Sequence, residues 1–319
     1  MKRISTLVLA EVMAPLAILM GISIHVLGDA WTRMHSVVIG GGNLTTPSDV
    51  NGTLWFYWWV AKAKARGVDI VNPDVICAPT GQSLGSNFPQ HFDALMAAPF
   101  ISNLPTPMGF NLFVALIPVL GGWSAYVAGR WLGLGRVSSL MVGVLFGFNS
   151  LSLHELSNGK PPSALVFTLP LFVAAFIRSL NTPGKGAIEW ILIAGLTAGI
   201  AIQHYVLYAF IAAIFAAGAL FQFTLSPAAG VSRKRAPIAG LIIAVLGVAI
   251  ASPYLNQLLS ERRPMPAASA LRITDPAVLR EQAESIDVGY IFGVDEDEDL
   301  PRRAAFPVVL TVAALVLIP

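Results

Sequence analysis

Charge is what this sequence has least of. Only 12% of its 319 residues are Asp, Glu, Lys or Arg, about half the share usual in a soluble domain, and that scarcity excludes a soluble enzyme. Neither sign dominates. Twenty Lys and Arg against eighteen Asp and Glu leave a formal charge of +2, too small and too dispersed for the basic patch of a nucleic-acid binder. A single cysteine, Cys77, excludes an intrachain disulfide and a thiolate metal cluster and gives no sign of redox chemistry. What fills the chain is hydrocarbon: 55% of its residues are hydrophobic and its mean hydropathy is +0.69. Its expected partners are membrane lipids and lipid-borne molecules, and no nucleic acid.

A hydrocarbon core about 30 Å thick needs about 20 apolar helical residues to cross it. Long uncharged runs predict about eight transmembrane helices. Seven lie at about residues 6–27, 108–132, 137–153, 162–176, 187–202, 205–225 and 238–258, and an eighth opens at about 305. The last run reaches Pro319 after about fifteen residues, short of a crossing at about 1.5 Å per residue, so the chain is expected to end inside a helix. The fold class expected is an all-α integral membrane protein, a single transmembrane domain over residues 1–319. Its first external loop, at about 29–107, is long and carries interfacial helices, and its last lies at about 260–303.

Short-loop cations prefer the cytoplasm. Lys2, Arg3, Arg130, Arg136, Arg178, Lys185, Arg233, Lys234 and Arg235 all fall on one side if the N-terminus is cytoplasmic, and sixteen of the eighteen acids then fall on the other. Glu11 and Glu189 stay inside or at the ends of spans. A signal peptide is the competing reading of the first run, because Lys2-Arg3 precedes it. Glu11 interrupts that run and Val26-Leu27-Gly28 is a poor cleavage site, so an uncleaved anchor is expected. Glu11 itself reads as a snorkelling residue near Lys2, or as a buried acid with a partner.

Roughly eighty residues separate Asp29 from Pro107, far more than the usual two to eight joining helices in a bundle. Residues 51–67 start with capping types, turn aromatic, and end in three cations before Gly67. This pattern predicts an interfacial helix with Trp55, Trp58 and Trp59 at headgroup depth. Its cations, Lys62, Lys64 and Arg66, then meet phospholipid headgroups or the phosphate of a lipid-linked substrate. Asp49, immediately before that helix, reads either as a helix cap or as a general base at the mouth of a membrane cavity. Residues 88–99 predict a short helix ending at a Pro break. In it, His91 and Asp93 are two apart, off a common face, with solvated or capping roles expected.

Four further sites stay open on chemistry alone. His154 and Glu155 end a span on the same side as Asp49, as interfacial polar residues or as a pair converging at a helix end. Lys160, before Pro161-Pro162, is a lone exposed cation or a phosphate contact. His204 and Tyr205, in a short external turn, are interface anchors or line the same cavity. In the last loop, Arg262 and Arg263 follow the seventh span at once, while Asp295 to Asp299 read as a solvated charge run and not as a calcium loop.

The order of these features carries a resemblance. An acid precedes a Trp-rich helix, Asp49-Val-Asn-Gly-Thr-Leu-Trp-Phe-Tyr-Trp-Trp59, and an Ala78-Pro-Thr-Gly81 turn follows. Asn111-Leu-Phe113 opens the next span, and Gly147-Phe-Asn-Ser-Leu-Ser-Leu-His-Glu-Leu-Ser-Asn-Gly-Lys-Pro-Pro162 precedes Leu169-Pro-Leu171. Over roughly its first 180 residues the chain resembles the polytopic bacterial glycosyltransferases of the GT-C fold. The resemblance implies a multi-pass protein of the bacterial inner (plasma) membrane. Such a protein takes a sugar from a polyprenyl-phosphate-type donor and passes it, usually with inversion, to a glycan, lipid or protein acceptor at the extracytoplasmic face. It implies an essential first-loop acid, here Asp49 with Asp29 as rival. It also implies second-loop residues that bind a divalent cation (Mg or Mn) or substrate, here Glu155 and His154, where several relatives carry Asp-x-Asp. Lys62, Lys64, Arg66, Lys160 and Arg262 are the candidates for the donor phosphate. The rivals without chemistry are a carrier or lipid flippase, which places ionisable groups near mid-membrane, and an inactive assembly partner on the same fold.

Overall fold

The computed structural model describes residues 9–40, 50–71, 84, 91–226 and 235–260. A π-helical turn, Leu9–Met13, leads into α1 (Ala14–Val26) and the one-turn α2 (Gly28–Thr32). Then come α3 (Val50–Arg66), α4 (His91–Asn103), α5 (Thr106–Trp131), α6 (Arg136–Gly147), α7 (Ser150–Ser157) and α8 (Pro161–Ala164). The bundle is completed by α9 (Thr168–Asn181), α10 (Gly186–His204), α11 (Val206–Leu225) and α12 (Arg235–Ser260). No strand occurs among the described residues.

Six runs are long and apolar enough to cross a membrane: Thr106–Trp131, Arg136–Ser157, Pro161–Asn181, Gly186–His204, Leu207–Leu225 and Arg235–Asn256. A shorter apolar helix, Glu11–Val26, stands where the first span was expected. The protein is therefore an all-α, multi-pass integral membrane protein. The eighth expected span, the last loop and Arg262 lie outside the described residues. Two spans are broken near their loop ends. In the third, Asn149 stops α6 and caps α7, accepting the Ser152 N–H at 2.9 Å. In the fourth, α8 ends after Ala164 and the chain restarts as α9 at Thr168.

Small residues let the helices meet backbone to backbone, as membrane packing favours. A Cβ on Gly147 would sit 2.3 Å from the Pro118 carbonyl oxygen, and one on Gly143 would sit 2.6 Å from that of Gly122, which locks α6 on α5. Gly199 sits equally tightly against Ile250, where Gln203 Nε2 also donates to the Ile250 carbonyl at 2.8 Å, joining α10 to α12. Ser23 Oγ donates to the Ala115 carbonyl at 2.7 Å and ties α1 to α5.

Alternating helix directions collect Arg130, Arg136, Arg178, Lys185 and Arg235 at one end of the bundle, the arginine end. Here Glu11 accepts from Arg136 Nε at 2.6 Å, Arg130 Nε at 3.0 Å and the Tyr126 hydroxyl at 3.1 Å. Glu11 is thus an acid with partners, and Lys2 lies outside the described residues. At the same end Arg178 stacks 5.3 Å from the Trp190 ring centroid.

The opposite, loop end is built by α3 and α4, and it corrects two expectations. Phe56, Tyr57, Trp59, Val60 and Ala63 of α3 are buried against Ala94, Ala97 and Ile101 of α4 and Phe110, Phe113 and Ile117 of α5. Each fully buried large side chain contributes about 1.5–3 kcal/mol. Trp59 is 2% exposed, with its indole N–H on the Ile70 carbonyl at 2.8 Å, so it is a core residue and not a headgroup anchor. Trp55 and Trp58 are half-buried around the same core. The second correction is that α4 runs on through Pro99 to Asn103, whose amide donates to the Pro99 carbonyl at 2.6 Å.

Candidate functional site

The chain between α7 and α8 forms an elbow whose geometry is dictated by Gly159. The Gly159 N–H donates to the Leu156 carbonyl at 3.1 Å and the Lys160 N–H to the Glu155 carbonyl at 2.9 Å. This pairing is a Schellman motif, which needs a left-handed residue at its first non-helical position, and Gly159 supplies it with φ +72°. The missing side chain is also needed for space. A Cβ on Gly159 would lie 2.5 Å from Val50 Cβ, and one on Gly40, at φ +87°, would lie 2.5 Å from Gly159 Cα. Thr53 Oγ1 donates to the Gly159 carbonyl at 3.2 Å. The first turn of α3 and the chain leaving α2 therefore both press on the elbow.

That chain is fixed from below by Asn111 of α5, 0% exposed. Its amide donates to the carbonyls of Met34 at 3.0 Å and Val37 at 2.5 Å and accepts the Ile39 N–H at 2.8 Å. The other flank of the elbow rests on the corner between α10 and α11. The Tyr208 hydroxyl donates to the Ser163 carbonyl. His204 is buried at 1% exposure, 6.5 Å from the Phe92 ring and 6.0 Å from that of Tyr208. The Pro162 carbonyl lies beside the imidazole, whose two nitrogens meet no partner at full hydrogen-bond geometry. Glu155 is near enough for its charge to act on the Tyr208 hydroxyl. His204, read as an interface anchor or as lining the cavity, turns into the protein.

Among the residues singled out from sequence, Lys160 lies in this elbow and is exposed, while His154 and Glu155 lie half-buried in the α7 turn that leads into it. Asp49 lies outside the described residues, but its successor Val50 is the residue packed on Gly159. Asp29 falls in α2. Lys62, Lys64 and Arg66 are exposed, 12 to 16 residues beyond Val50 on α3, which at about 1.5 Å per residue is roughly 18–24 Å from the elbow. The structure does not bring them to it. His154 Nε2 lies 2.8 Å from the Asn158 amide nitrogen and accepts from it. Among the described residues no three His, Cys, Asp or Glu converge as metal ligands.

A buried acid escaped sequence reasoning. Asp93, expected to be solvated or capping, is 0% exposed beneath α3 and accepts from the Tyr57 hydroxyl through Oδ2, while Oδ1 has no partner. Burial raises its pKa from 3.8 to about 7, against the opposing pull of the Tyr57 hydrogen bond and local backbone N–H groups. Burial, then the facing carboxylate, pushes Tyr57 well above the usual phenol value. Phe110 and Phe113 lie 5.9 and 5.7 Å from the Tyr57 ring, so the pair belongs to the core and not to the elbow. The signal available was Tyr57 itself, since a phenol on a buried face needs a partner.

The fold has solved counterparts. Over 96% of its length the chain is similar to the archaeal oligosaccharyltransferase AglB from Archaeoglobus fulgidus in complex with an inhibitory peptide and a dolichol-phosphate, at TM-score 0.55 and 16% identity. The Archaeoglobus fulgidus oligosaccharyltransferase in the apo form matches over 96% at TM-score 0.51 and 15% identity. The likeness is one of fold. The chain spans 36% of the length of either neighbour. Both are archaeal, so the likeness supports the fold and not a bacterial origin. No protein-family model and no curated protein matches the sequence.

Proposed function

We propose that this protein is a membrane glycosyltransferase that moves a sugar from a polyprenyl-phosphate-type donor to an acceptor at the extracytoplasmic face, with inversion. The observation that carries the reading is the meeting of the two loops. Val50, which follows Asp49, packs on the glycine between Glu155 and Lys160, on a fold whose solved counterpart is an oligosaccharyltransferase in complex with a dolichol-phosphate.

In this scheme the acceptor hydroxyl attacks the anomeric carbon as the bond from that carbon to the phosphate oxygen breaks. Asp49 takes the hydroxyl proton, and the electron pair leaves with the lipid phosphate. Lys160 stabilises the charge developing on that phosphate, and Glu155 and His154 orient the sugar. Arg262 is a further candidate for the phosphate. Lys62, Lys64 and Arg66, at the far end of α3, suit lipid headgroups better. No step here needs a metal, and assay with and without Mg or Mn tests that directly.

The test is transfer from a panel of polyprenyl-phosphate sugars by the purified full chain, beside Asp49→Asn. Turnover abolished in a folded Asp49→Asn variant supports the scheme. Unchanged turnover in the variant removes Asp49 from it, and no turnover across the panel in a folded wild type favours a carrier or an inactive assembly partner.

A further inference from the structure

The elbow of residues 158–164 is held from two sides by groups of different kinds. On the α3 side it is gripped by shape, through Val50 and Gly40 on Gly159, and by Thr53 on the Gly159 carbonyl. On the α11 side it is gripped by the Tyr208 hydroxyl on the Ser163 carbonyl. Lys160 lies between these grips and is exposed. Beneath it His204 is buried beside the Pro162 carbonyl, with neither ring nitrogen at full hydrogen-bond geometry to a partner. An unpaired buried donor is unfavourable, and here the carbonyl that would relieve it sits on the same elbow.

We infer that Tyr208 and His204 are positioning residues that latch the second-loop elbow and so present Lys160 to a lipid phosphate. The inference rests on the proposed donor class and adds two residues of the corner between α10 and α11 to that site. Tyr208 holds the elbow as the structure stands. His204 completes the latch when the elbow settles inward on an anion and its imidazole N–H reaches the Pro162 carbonyl. Neither residue touches the ligand. Both act through the placement of Lys160.

The experiment compares the full chain with Tyr208→Phe, His204→Phe and Lys160→Gln, the two Phe variants keeping aromatic volume in the core. Amide hydrogen exchange is followed over residues 158–168, and binding of undecaprenyl phosphate in mixed micelles is measured, with inorganic phosphate as the lipid-free arm. Tyr208→Phe is expected to speed exchange in the elbow about tenfold and to weaken binding by a similar factor, the loss of about one hydrogen bond. Exchange elsewhere in α10 and α11 should not move, and the melting temperature should fall by no more than the few degrees that about one hydrogen bond accounts for. His204→Phe should leave elbow exchange unchanged without ligand and abolish the extra protection that undecaprenyl phosphate brings. Preferential binding of the lipid over inorganic phosphate supports a lipid source for the anion.

Elbow exchange unaltered by Tyr208→Phe overturns the latch. So does wild-type affinity in both Phe variants while Lys160→Gln binds weakly, a result that leaves the donor reading standing. No binding by the wild-type chain overturns the donor reading itself, and with it the purpose assigned to the latch.

Discussion

Replacing Gly159 with Ala tests whether the meeting of the two loops is a structural necessity. Two penalties add. A non-glycine residue at φ +72° costs roughly 1–2 kcal/mol in left-handed backbone. The new methyl would lie 2.5 Å from Val50 Cβ and 2.7 Å from the Val50 backbone, and forced overpacking of that kind costs about 1–3 kcal/mol. Gly67 provides the control. It closes α3 with the same two hydrogen bonds, Gly67 N–H to the Lys64 carbonyl at 3.3 Å and Val68 N–H to the Ala63 carbonyl at 3.0 Å. Its φ is +65°, and nothing lies within 4 Å of an added Cβ. Gly67→Ala therefore carries the backbone penalty alone. Thermal unfolding of the purified protein in detergent should show a drop for Gly159→Ala two to three times that for Gly67→Ala, at roughly 2–4 °C per kcal/mol. Any transfer activity should fall in the first variant and not in the second. Equal drops in melting temperature would refute the contact between the first turn of α3 and the elbow.

Asp93 makes stability pH-dependent with a definite sign. Because burial raises its pKa from 3.8 to about 7, the folded chain holds this proton more tightly than the unfolded one. Stability therefore falls as pH rises between those values and levels off above them. At about 1.4 kcal/mol per unit the loss is on the order of 4 kcal/mol, so an Asp93→Asn variant should gain melting temperature over wild type from pH 4 to pH 8. A gap that does not change with pH would be inconsistent with a buried ionising carboxyl. Glu11→Gln should lower the melting temperature by less than Gly159→Ala, because its arginine partners are partly open to water. The difference from wild type should shrink in high salt. Neutralising Lys62, Lys64 and Arg66 together should change turnover by less than about twofold, since charges beyond a Debye length of about 8 Å are screened. Lys160→Gln should cut turnover sharply, and the reverse pattern would move the phosphate site to the far end of α3.

The spans were legible because a hydrocarbon core demands long apolar helices whatever packs beside them. Their partners were not. Glu11 meets Arg130 and Arg136 more than a hundred residues away, and no local pattern announces that. A helix with one aromatic face and a cationic end reads the same whether lipid or another helix covers the face. That is why Trp59 was placed at headgroups and Asp93 in water. The separation of Lys62, Lys64 and Arg66 from Val50 was legible in principle, because the predicted helix already fixes the rise between them. Tyr208 gave no signal at all, since it lies inside an apolar run and acts only through the fold that brings Ser163 to it.

The distribution of polarity also bears on what the bundle does. Among the described residues the buried polar groups along the spans include four hydroxyls and one amide, Ser23, Ser124, Ser139, Thr197 and Asn111. Ser23 and Asn111 are spent on joining helices to each other or to the loop end. The buried or half-buried ionisable groups sit at the two ends, Glu11 with its arginines at one, and Asp93, Glu155, His154 and His204 at the other. A carrier needs polar stations along its path, whereas a transferase needs one polar face against which a lipid-borne group is held. The glycine contacts between α5 and α6 and between α10 and α12 leave no room for such stations along those two seams. They do supply a rigid base for the elbow at the loop end of the bundle.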